Sequence, residues 1–410
     1  MIRVDADRLR SDFDELASIG ATAEGGVCRT TFSDAHFAAR AWLHGRATAA
    51  GLETRVDAAG NHSAVLPAAS RGGRTLLLGS HLDTVPTGGR FDGALGVVAA
   101  LEVLRTVRDA GLELTLSLEA IDFTDEEGSL VGLLGSWALA GALTPEILRA
   151  PRGGRAALTS GLARAGLSER ALPQARRHPQ TLAGYLELHI EQGPVLERAG
   201  IDIGVVTAIA GSRSFRLRFE GERRHAGTTP MDARRDAALG AARFVVAVEE
   251  TVVSDFPGCV ATVGDIAIDP GAFNVVPGRA RLALEFRSRD AERLDALEAA
   301  LLALAAREAS AAGLSLDVEA VGRWEPAQLD PMVRGAIGEA ARALGLSTVE
   351  LVSGAGHDAQ ALAAITPSGM IFVPSAGGVS HDPAEHTDWR HCVNGANVLL
   401  GAALALAGSL

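Results

Sequence analysis

The chain has 410 residues, of which 47% are hydrophobic and 21% are charged, and its formal net charge is −12. This length favours two domains, and the composition is ordinary for a globular enzyme. The acidic balance, without a Lys/Arg cluster interleaved with aromatic residues, argues against a nucleic-acid partner.

The cysteines and the two ends of the chain indicate where the protein works. Cys28, Cys259 and Cys392 are too widely spaced for a disulfide framework or a zinc finger, which favours a reducing compartment. The N-terminal sequence MIRVDADRLRSDFDEL lacks the apolar core of a signal peptide. The uncharged stretch Cys392–Leu410 is long enough for a membrane anchor, but its Ala/Gly-rich sequence with two asparagines favours a buried helix. We therefore expect a cytoplasmic protein without a membrane partner.

The first half of the chain alternates helical and strand patterns. In chain order these are a helix, an apolar strand, a second helix, a strand that runs into the polar turn Thr124–Gly128, and a further strand: Phe32–Ala50, Thr75–Gly79, Leu95–Ala110, Leu114–Phe123 and Leu186–Ile190. The Arg-rich segment Leu148–Gln180, punctuated by Pro and Gly, is predicted to be irregular. This alternation predicts an α/β domain with a mostly parallel sheet.

The pattern changes near Gly211 and changes back near residue 322. The segments between follow the order β-α-β-β-α-β, which is typical of a ferredoxin-like sandwich. They are Ser214–Glu220, Asp232–Val253, Val260–Ile268, Arg279–Ser288, Asp290–Ala312 and Leu314–Val321. The α/β pattern then resumes with a helix at Met332–Leu346 and an apolar run at Met370–Val373. We predict that residues 1–208 and 322–410 form one domain, and that residues 209–321 form a domain inserted into it.

The segment Gly79–Gly93, GSHLDTVPTGGRFDG, follows a predicted strand and contains His81, Asp83 and Asp92. An imidazole and a carboxylate at the carboxyl end of a strand are a natural start for a metal site. Asp83, two residues after His81, is suited to fix the tautomer of that ring. The alternative is a polar loop with a hydrogen-bonded histidine.

The segment FTDEEGS, Phe123–Ser129, places three acidic residues in the turn after another strand. Adjacent carboxylates in a turn can point in different directions, so that one binds a metal and the other takes a proton from water. Metal-assisted hydrolysis needs this arrangement. The alternative is a solvated turn.

Histidines recur in further segments: His189 in LELHIEQGP, His225 in HAGTTPMD, and His381 and His386 in SHDPAEHT. Taken singly, they could be a core histidine, a turn and a surface loop. With His81 and with His357 in SGAGHDA, six of the eleven histidines lie in such motifs, which favours a common site. Neither a GxSxG elbow, a P-loop nor a strand-linked GxGxxG is present, which argues against serine hydrolase chemistry and nucleotide binding.

Seven motifs follow one another along the chain: GSHLDTVPTGGRFDG, TDEEG, YLELHIEQGPVLE, AGSRSFRLRFEGERRHAGTTPMDARRD, NVVPG, SGAGHDA and MIFVPSAGGVSHDPAEHT. Over essentially the whole chain they resemble the M20-type metallo-amidohydrolases of the hydantoinase/carbamoylase branch. That branch includes N-carbamoyl-L-amino acid hydrolases, allantoate amidohydrolases and yeast-type β-ureidopropionases. The resemblance implies a homodimeric hydrolase with a metallo-exopeptidase-like catalytic domain and an inserted lid and dimerisation domain.

The resemblance also implies a centre of two divalent metal ions. Five residues would hold the ions: His81, Asp92, Glu127, His189 and His381. Asp92 would bridge them, Glu126 would be the general base and Asp83 would support His81. A ligand set of nitrogen and oxygen suits Zn, Mn, Co and Ni alike.

Six residues are implied to contact the substrate: Gln192, His225, Asn274, Arg287, Gly356 and His357. His225 would polarise the scissile carbonyl from its own or the partner subunit. Arg287 would bind a substrate carboxylate, the alternative being a surface salt bridge at a strand end.

The implied reaction converts an N-carbamoyl-L-amino acid into the amino acid, CO2 and ammonia. Allantoate and N-acyl amino acids or dipeptides are the alternative substrates. A catalytically silent metal-binding scaffold would require the loss of a ligand or the base, and all of these are present. The segment EEGSLVGLLGS departs from the family, with Leu130 and Val131 in place of an Arg-Phe pair and a shorter connection. This change leaves the metal and base residues intact but alters the wall beside them.

Overall fold

A nine-stranded sheet dominates the computed structural model, which describes residues 2–69 and 73–408. The strands are β1 (Glu53–Val56), β2 (His62–Leu66), β3 (Thr75–His81), β4 (Ser117–Phe123), β5 (Leu182–Ile190), β6 (Ile203–Ile209), β7 (Gly211–Glu220), β8 (Arg224–His225), β9 (Val260–Asp269), β10 (Val275–Val276), β11 (Arg279–Ser288), β12 (Ser315–Trp324), β13 (Ala327–Gln328), β14 (Thr348–Ser353) and β15 (Ser368–Val373). The α-helices are α1 (Ala6–Ser18), α2 (Asp34–Ala49), α3 (Ala94–Asp109), α4 (Leu134–Ala140), α5 (Pro145–Arg149), α6 (Arg155–Arg164), α7 (Val195–Ala199), α8 (Ala237–Asp255), α9 (Ala291–Ala311), α10 (Pro331–Ala343), α11 (Asp358–Leu362) and α12 (Trp389–Ala407).

The centre of the large sheet is parallel, in the order β4-β3-β5-β15, with antiparallel neighbours β2 and β6. His81 at the end of β3 pairs with Phe123 at the end of β4, and His189 on β5 pairs with Phe372 on β15. Because parallel strands end at one edge of the sheet, the segments that follow these four strands meet there. The prediction of an α/β fold with a mostly parallel sheet is confirmed.

Helix α3 packs against one face of the large sheet and supports the edge at which these strands end. All of its residues from Ala94 to Val107 are buried, and they are apolar or small except for Glu102, Arg105 and Thr106. A helix of this kind belongs in a core, and α3 packs against β3, β4 and β5 in the largest apolar cluster. It begins directly after Asp92 and Gly93, so the main chain at Asp92 is fixed to the most buried helix of the fold.

The described chain divides into two compact units, of which the second is Ala208–Ala327. Four of its strands form an antiparallel sheet in the order β12-β7-β11-β9, and β8 and β10 form a separate two-stranded ribbon. Alternate residues of β7, such as Phe215, Leu217 and Phe219, are buried against α8 and α9, while Arg216 and Arg218 on the opposite face are exposed. The elements β7-α8-β9-β11-α9-β12 therefore follow the β-α-β-β-α-β order.

Two sequence predictions need correction. The segment Leu148–Gln180 is not wholly irregular, because it contains α6, whose Leu158 and Leu162 are spaced i, i+4 and are buried in a small apolar cluster. The strand predicted from Leu114 begins at Ser117, because the Leu114 carbonyl accepts a hydrogen bond from Ala69 outside the sheet ladder.

The C-terminal stretch forms α12 up to Ala407, and its residues 409–410 lie outside the described part of the chain. Ten residues of α12 are buried, which fits the predicted core helix. Among residues 2–69 and 73–408, the helices are too short or too polar to span a bilayer.

Candidate metal centre

One group of potential ligands surrounds oxygen Oδ1 of Asp92. This oxygen lies 3.4 Å from Nε2 of His81 and 3.1 Å from Nε2 of His189. All three side chains are buried, and their ligand atoms lie within 4.8 Å of one another. The other ring nitrogen of each histidine contacts a main-chain oxygen, at 3.0 Å in Asp83 for His81 and at 2.8 Å in Ile190 for His189. With Nδ1 donating to a carbonyl, Nε2 of each ring carries the lone pair that a cation would use. In His189 this nitrogen accepts a hydrogen bond from the Gly93 N–H at 3.2 Å.

A second group surrounds oxygen Oδ2 of the same Asp92. Nε2 of His381 lies 3.4 Å from Asp92 Oδ2 and 3.4 Å from Glu127 Oε2. His381 comes from the loop after β15, and its side chain is 50% exposed, whereas those of Asp92 and Glu127 are almost buried. Its φ of 56° is in the left-handed region, which a non-glycine residue adopts only when its surroundings fix it there. The two oxygens of Asp92 thus face two different groups.

Glu126 lies at the mouth of the first group. Its Oε2 is 3.5 Å from Nε2 of His81, and its side chain is 10% exposed. Burial raises the pKa of Glu126 well above its usual value, against the opposing effect of His81. Burial also raises the pKa of the neighbouring Glu127 to about 7, and the charge of Asp92 adds to that increase. Both carboxyls consequently have a high proton affinity.

Asp83 joins the His81 segment to the acidic turn. Its carboxylate accepts hydrogen bonds from the main-chain N–H groups of Glu126 and Glu127, each at 3.3 Å, and from the hydroxyl of Thr31 at 3.0 Å. The side-chain oxygen of Asp83 is 3.8 Å from the His81 ring, so the direct contact with His81 is made by the Asp83 main chain. Asp83 therefore positions the turn that carries Glu126 and Glu127 as well as the His81 ring.

Asp125 holds the shortened connection EEGSLVGLLGS. Its carboxylate accepts hydrogen bonds from the main-chain N–H groups of Leu130, Val131 and Gly132, at 2.9, 2.6 and 2.9 Å. Leu130 and Val131 are buried and pack in the apolar cluster that contains α6. The loop that departs from the family pattern is therefore a compact turn around one buried carboxylate.

Three predicted substrate residues lie in the first unit. Gln192 donates from Nε2 to Asp92 Oδ2 at 2.7 Å, so its amide is at the site. The ring of His357 is 4.7 Å from the ring of His189, and its Nε2 is 2.8 Å from the Ser353 hydroxyl oxygen. Gly356 lies in the short turn between β14 and α11.

The other predicted substrate residues lie in the second unit. His225 is exposed on β8 and pairs with Val275 on β10, next to Asn274. The main-chain oxygen of Asn274 accepts a hydrogen bond from Ala226 at 2.9 Å, so His225 and Asn274 share one small ribbon. Arg287 donates to Glu285 at 2.7 Å, which is the surface salt bridge considered as its alternative role.

Several residues at the site were not singled out from the sequence. Ser380 and Glu385 contact Asp92 and its main chain, and both belong to the SHDPAEHT segment that carries His381. Glu187, two residues before His189, is buried and accepts hydrogen bonds from Ser80 and Ala359. The sequence feature that could have indicated these three residues is that each lies within four positions of a candidate metal ligand, His381 or His189. His386 does not join either group and packs edge-on against Phe91 instead.

The donors fit a pair of divalent cations. Nε2 of His81 is buried and has no hydrogen-bond partner among the described residues. Asp92 is also buried, yet the neighbouring histidines keep its pKa well below the usual value. The hydrogen bond to Asp92 raises the pKa of His381 to about 9, which shows how strongly negative the cluster is. Buried carboxylates at this density need compensating positive charge, and nitrogen and oxygen ligands suit Zn²⁺ and similar ions.

Comparisons with known proteins agree with this geometry. The family model of "Peptidase family M20/M25/M40" matches residues 77–405. An N-carbamoyl-L-amino acid amidohydrolase of Geobacillus stearothermophilus is 39% identical, with 97% of each chain covered. An allantoate amidohydrolase of Bacillus subtilis is 35% identical over 94% of this chain and 93% of its own. The crystal structure of an amidase of the hydantoinase/carbamoylase family from Burkholderia multivorans matches with a TM-score of 0.90 and 38% identity, covering 99% of this chain and 98% of the other.

Members of this family are typically metal-dependent, and the two ligand groups around Asp92 meet that requirement. The chain belongs to the M20/M25/M40 peptidase family, in its hydantoinase/carbamoylase branch, and is a hydrolase of C–N bonds other than peptide bonds.

Proposed function

We propose that the protein uses two divalent metal ions to hydrolyse N-carbamoyl-L-amino acids to the amino acid, CO2 and ammonia. The observation that carries this proposal is the position of Asp92, whose Oδ1 faces His81 and His189 and whose Oδ2 faces His381. A carboxylate in this position is suited to bridge two cations. One ion would bind His81, Asp92 and His189, and the other would bind Asp92, Glu127 and His381.

Bound metal ions would polarise the scissile carbonyl and lower the pKa of water. Glu126 would then accept the proton from the attacking water and pass it to the leaving nitrogen. Burial raises the pKa of Glu126, which increases the proton affinity that both roles require. Asp83 would keep the carboxylate in place through its hydrogen bond from the Glu126 N–H.

The second unit would act as a lid and supply substrate contacts. We propose that His225 donates to the developing oxyanion and that Asn274, on the same ribbon, contacts the same region. Arg287 would exchange its partner Glu285 for the substrate carboxylate, to which its planar fork binds with two hydrogen bonds. Gln192 and His357, beside Asp92 and His189, would face the ureido group.

We also propose a homodimer formed through the second unit. Helix α8 exposes Leu239, Val246 and Val253 at intervals of seven residues, so they lie along one stripe. The adjacent β9 is an edge strand with exposed Ile266 and Ile268, and such edges are usually covered.

The cytoplasm is the compartment that we propose for the protein. The three cysteines are free, which fits a reducing compartment.

The proposal is tested by removing metal with a chelator, adding back Zn²⁺, Mn²⁺, Co²⁺ or Ni²⁺ separately, and measuring ammonia release. The substrates are an N-carbamoyl-L-amino acid series, allantoate, and N-acyl amino acids with dipeptides. We expect metal-dependent turnover with the highest kcat/KM for an N-carbamoyl-L-amino acid. A higher value for allantoate would change the substrate assignment, and full turnover in metal-free protein would end the proposal.

Arg287→Met separates substrate binding from chemistry. Loss of a charge-assisted bidentate contact is expected to raise KM by about 10- to 100-fold. Arg281→Met, on the same strand and the same exposed face, is the matched control and should leave KM unchanged. An unchanged KM in Arg287→Met would rule out Arg287 as the contact for the substrate carboxylate.

A further inference from the structure

Glu385 is a buried carboxylate that the proposed reaction does not use. It lies four residues after His381, and only 3% of its surface is exposed. Its Oε1 accepts hydrogen bonds from the main-chain N–H groups of Phe91 at 2.8 Å and Asp92 at 3.1 Å. Its Oε2 accepts a hydrogen bond from the hydroxyl of Ser380 at 2.8 Å. One oxygen of Glu385 thus fixes the segment that carries Asp92, and the other fixes the segment that carries His381.

Ser380 completes this connection. Its hydroxyl oxygen is 3.0 Å from Asp92 Oδ2, so its single proton is shared between that oxygen and Oε2 of Glu385. Asp92 Oδ2 also accepts from Gln192 Nε2 at 2.7 Å. When Asp92 Oδ2 binds a cation, Glu385 remains as an acceptor for the Ser380 proton. The arrangement therefore holds Asp92 in place without competing for its bridging oxygen.

The space around Glu385 is also specific. A Cβ atom on Gly89 would lie 2.1 Å from Glu385 Oε1 and 2.2 Å from its Cδ. Only a glycine at position 89 lets the carboxylate approach the main chain of the Asp92 segment. The side chain of Glu385 is thus packed into the GGRFD turn and is not merely near it.

His381 has the greatest need of such support. It is the half-exposed member of the second group, and its main chain has a left-handed φ of 56°. Backbone strain of this kind persists only where neighbouring contacts fix the conformation. The hydrogen bonds of Glu385 and Ser380 supply those contacts between the His381 loop and the Asp92 turn.

We propose that Glu385 is a positioning residue for the second metal site, the one formed by Asp92, Glu127 and His381. Glu385 would hold this site together by joining the His381 loop to the Asp92 main chain. This inference rests on the proposed two-metal function. It predicts an asymmetry, because the first group keeps its other supports: helix α3 still fixes the main chain after Asp92, and the strands β3 and β5 carry His81 and His189. Loss of Glu385 should weaken the ion at Asp92, Glu127 and His381 and spare the other ion.

The experiment titrates chelator-treated full-length protein with Co²⁺ and follows visible absorption and binding heat. In Glu385→Ala, we expect the first ion to bind as in the parent and the dissociation constant of the second to rise 10-fold or more, as for other residues that support metal ligands. Glu385→Gln keeps an acceptor oxygen for the Asp92 N–H and should recover part of this affinity. Ser380→Ala should weaken the second ion less than Glu385→Ala.

Asp202→Ala is the matched control. Asp202 also joins distant segments, accepting from the main-chain N–H and hydroxyl of Ser347 at 3.0 and 2.7 Å. Its loss should lower the melting temperature but leave both Co²⁺ affinities unchanged.

Parent-like binding of both ions in folded Glu385→Ala would overturn the inference, and so would an equal weakening of both ions. If Glu385→Ala does not fold, the same criteria apply to Glu385→Gln and Ser380→Ala. A parent protein that binds fewer than two ions would instead contradict the proposed function, which separates the two failures.

Discussion

Oε2 of Glu126 lies 3.5 Å from Nε2 of His81, so the proposed base and a proposed metal ligand are neighbours in the folded chain. The two residues come from the ends of adjacent parallel strands, β3 and β4. Their contact is a direct result of the strand register. His81 belongs to a group of potential metal ligands, whereas Glu126 belongs to neither group. Mutation can therefore test proton transfer and metal binding independently.

Glu126→Gln should lower kcat by about 10²- to 10⁴-fold, since an amide cannot accept the proton of water. Metal content, measured by atomic absorption, should stay at the parent level because Glu126 is not among the proposed ligands. Glu339→Gln, an exposed residue of α10, is the control and should have the parent kcat. Parent-like turnover in Glu126→Gln would remove Glu126 from the mechanism.

Gly93→Ala should disrupt the first ligand group. A Cβ atom on Gly93 would lie 2.4 Å from Cε1 of His81, and Gly93 has a φ of 63°. We expect a lower melting temperature and a loss of metal affinity, measured by calorimetry. Gly335→Ala is the matched control, because its Cβ meets nothing within 4 Å inside α10. That substitution should stabilise the protein by about 0.5–1 kcal/mol. Normal metal affinity in Gly93→Ala would show that the His81 ring can move.

Chelation should lower thermal stability. A ligand that binds only the folded state stabilises it by about 2.7 kcal/mol at 100 times its dissociation constant. We therefore expect differential scanning calorimetry to show a melting temperature that rises with free Zn²⁺ concentration in the parent. In Asp92→Asn this dependence should be much weaker, because both ligand groups share Asp92. A metal-independent melting temperature in the parent would be incompatible with a metal centre.

Acidification should destabilise the protein through histidines outside the metal centre. Burial lowers the pKa of His62 to about 2, and its Nδ1 lies 2.9 Å from Nε2 of His44. Burial also lowers the pKa of His36 well below its usual value. Since the unfolded chain binds these protons near pH 6.5, stability is present above that pH and is lost as pH falls below it.

Below pH 6.5, each such histidine lowers the free energy of unfolding by about 1.4 kcal/mol for every pH unit. Urea unfolding of His62→Gln between pH 7 and pH 5 should therefore show a shallower loss of stability than the parent. An identical slope in parent and variant would show that His62 is protonated in the folded protein.

His225→Ala should lower kcat by about 10²- to 10³-fold if His225 donates to the oxyanion. His178→Ala is the control, because His178 is exposed and its ring accepts a hydrogen bond from Gln180 in its own turn. Mixing His225→Ala with Glu126→Gln then identifies the subunit that His225 serves. If the chain forms the proposed homodimer, activity returns on mixing only where His225 acts on the partner subunit, since one site of the mixed dimer then has both groups.

The residues that gather around Asp92 could be predicted from the sequence better than the residues that support them. The family resemblance implied His81, Asp92, Glu127, His189 and His381 as one set, and the ends of parallel strands bring these side chains into two groups. Glu385 has no such signal, because its role depends on packing over Gly89, nearly 300 residues earlier in the sequence. Contacts of this kind follow from the tertiary fold and not from local pattern.

Helix prediction failed where charge hid the apolar spacing. In α6 the arginines suggested a loop, although Leu158 and Leu162 form a buried i, i+4 pair. Helix α1 was missed in the same way, since its charged residues obscure the buried series Leu9, Phe13 and Leu16. These helices are indicated only by the spacing of three or four positions between successive apolar residues. The charged residues that lie between them have to be disregarded.

The strand order of the large sheet also determines when the centre is completed during synthesis. As the polypeptide leaves the ribosome, β3 and β5 are available to bring His81 and His189 to Asp92 long before β15 is translated. The place of His381 is set only after β15 has joined β5. The three residues of the first group are therefore all present once His189 has been made, whereas the second group is complete only when His381 follows, nearly 200 residues later.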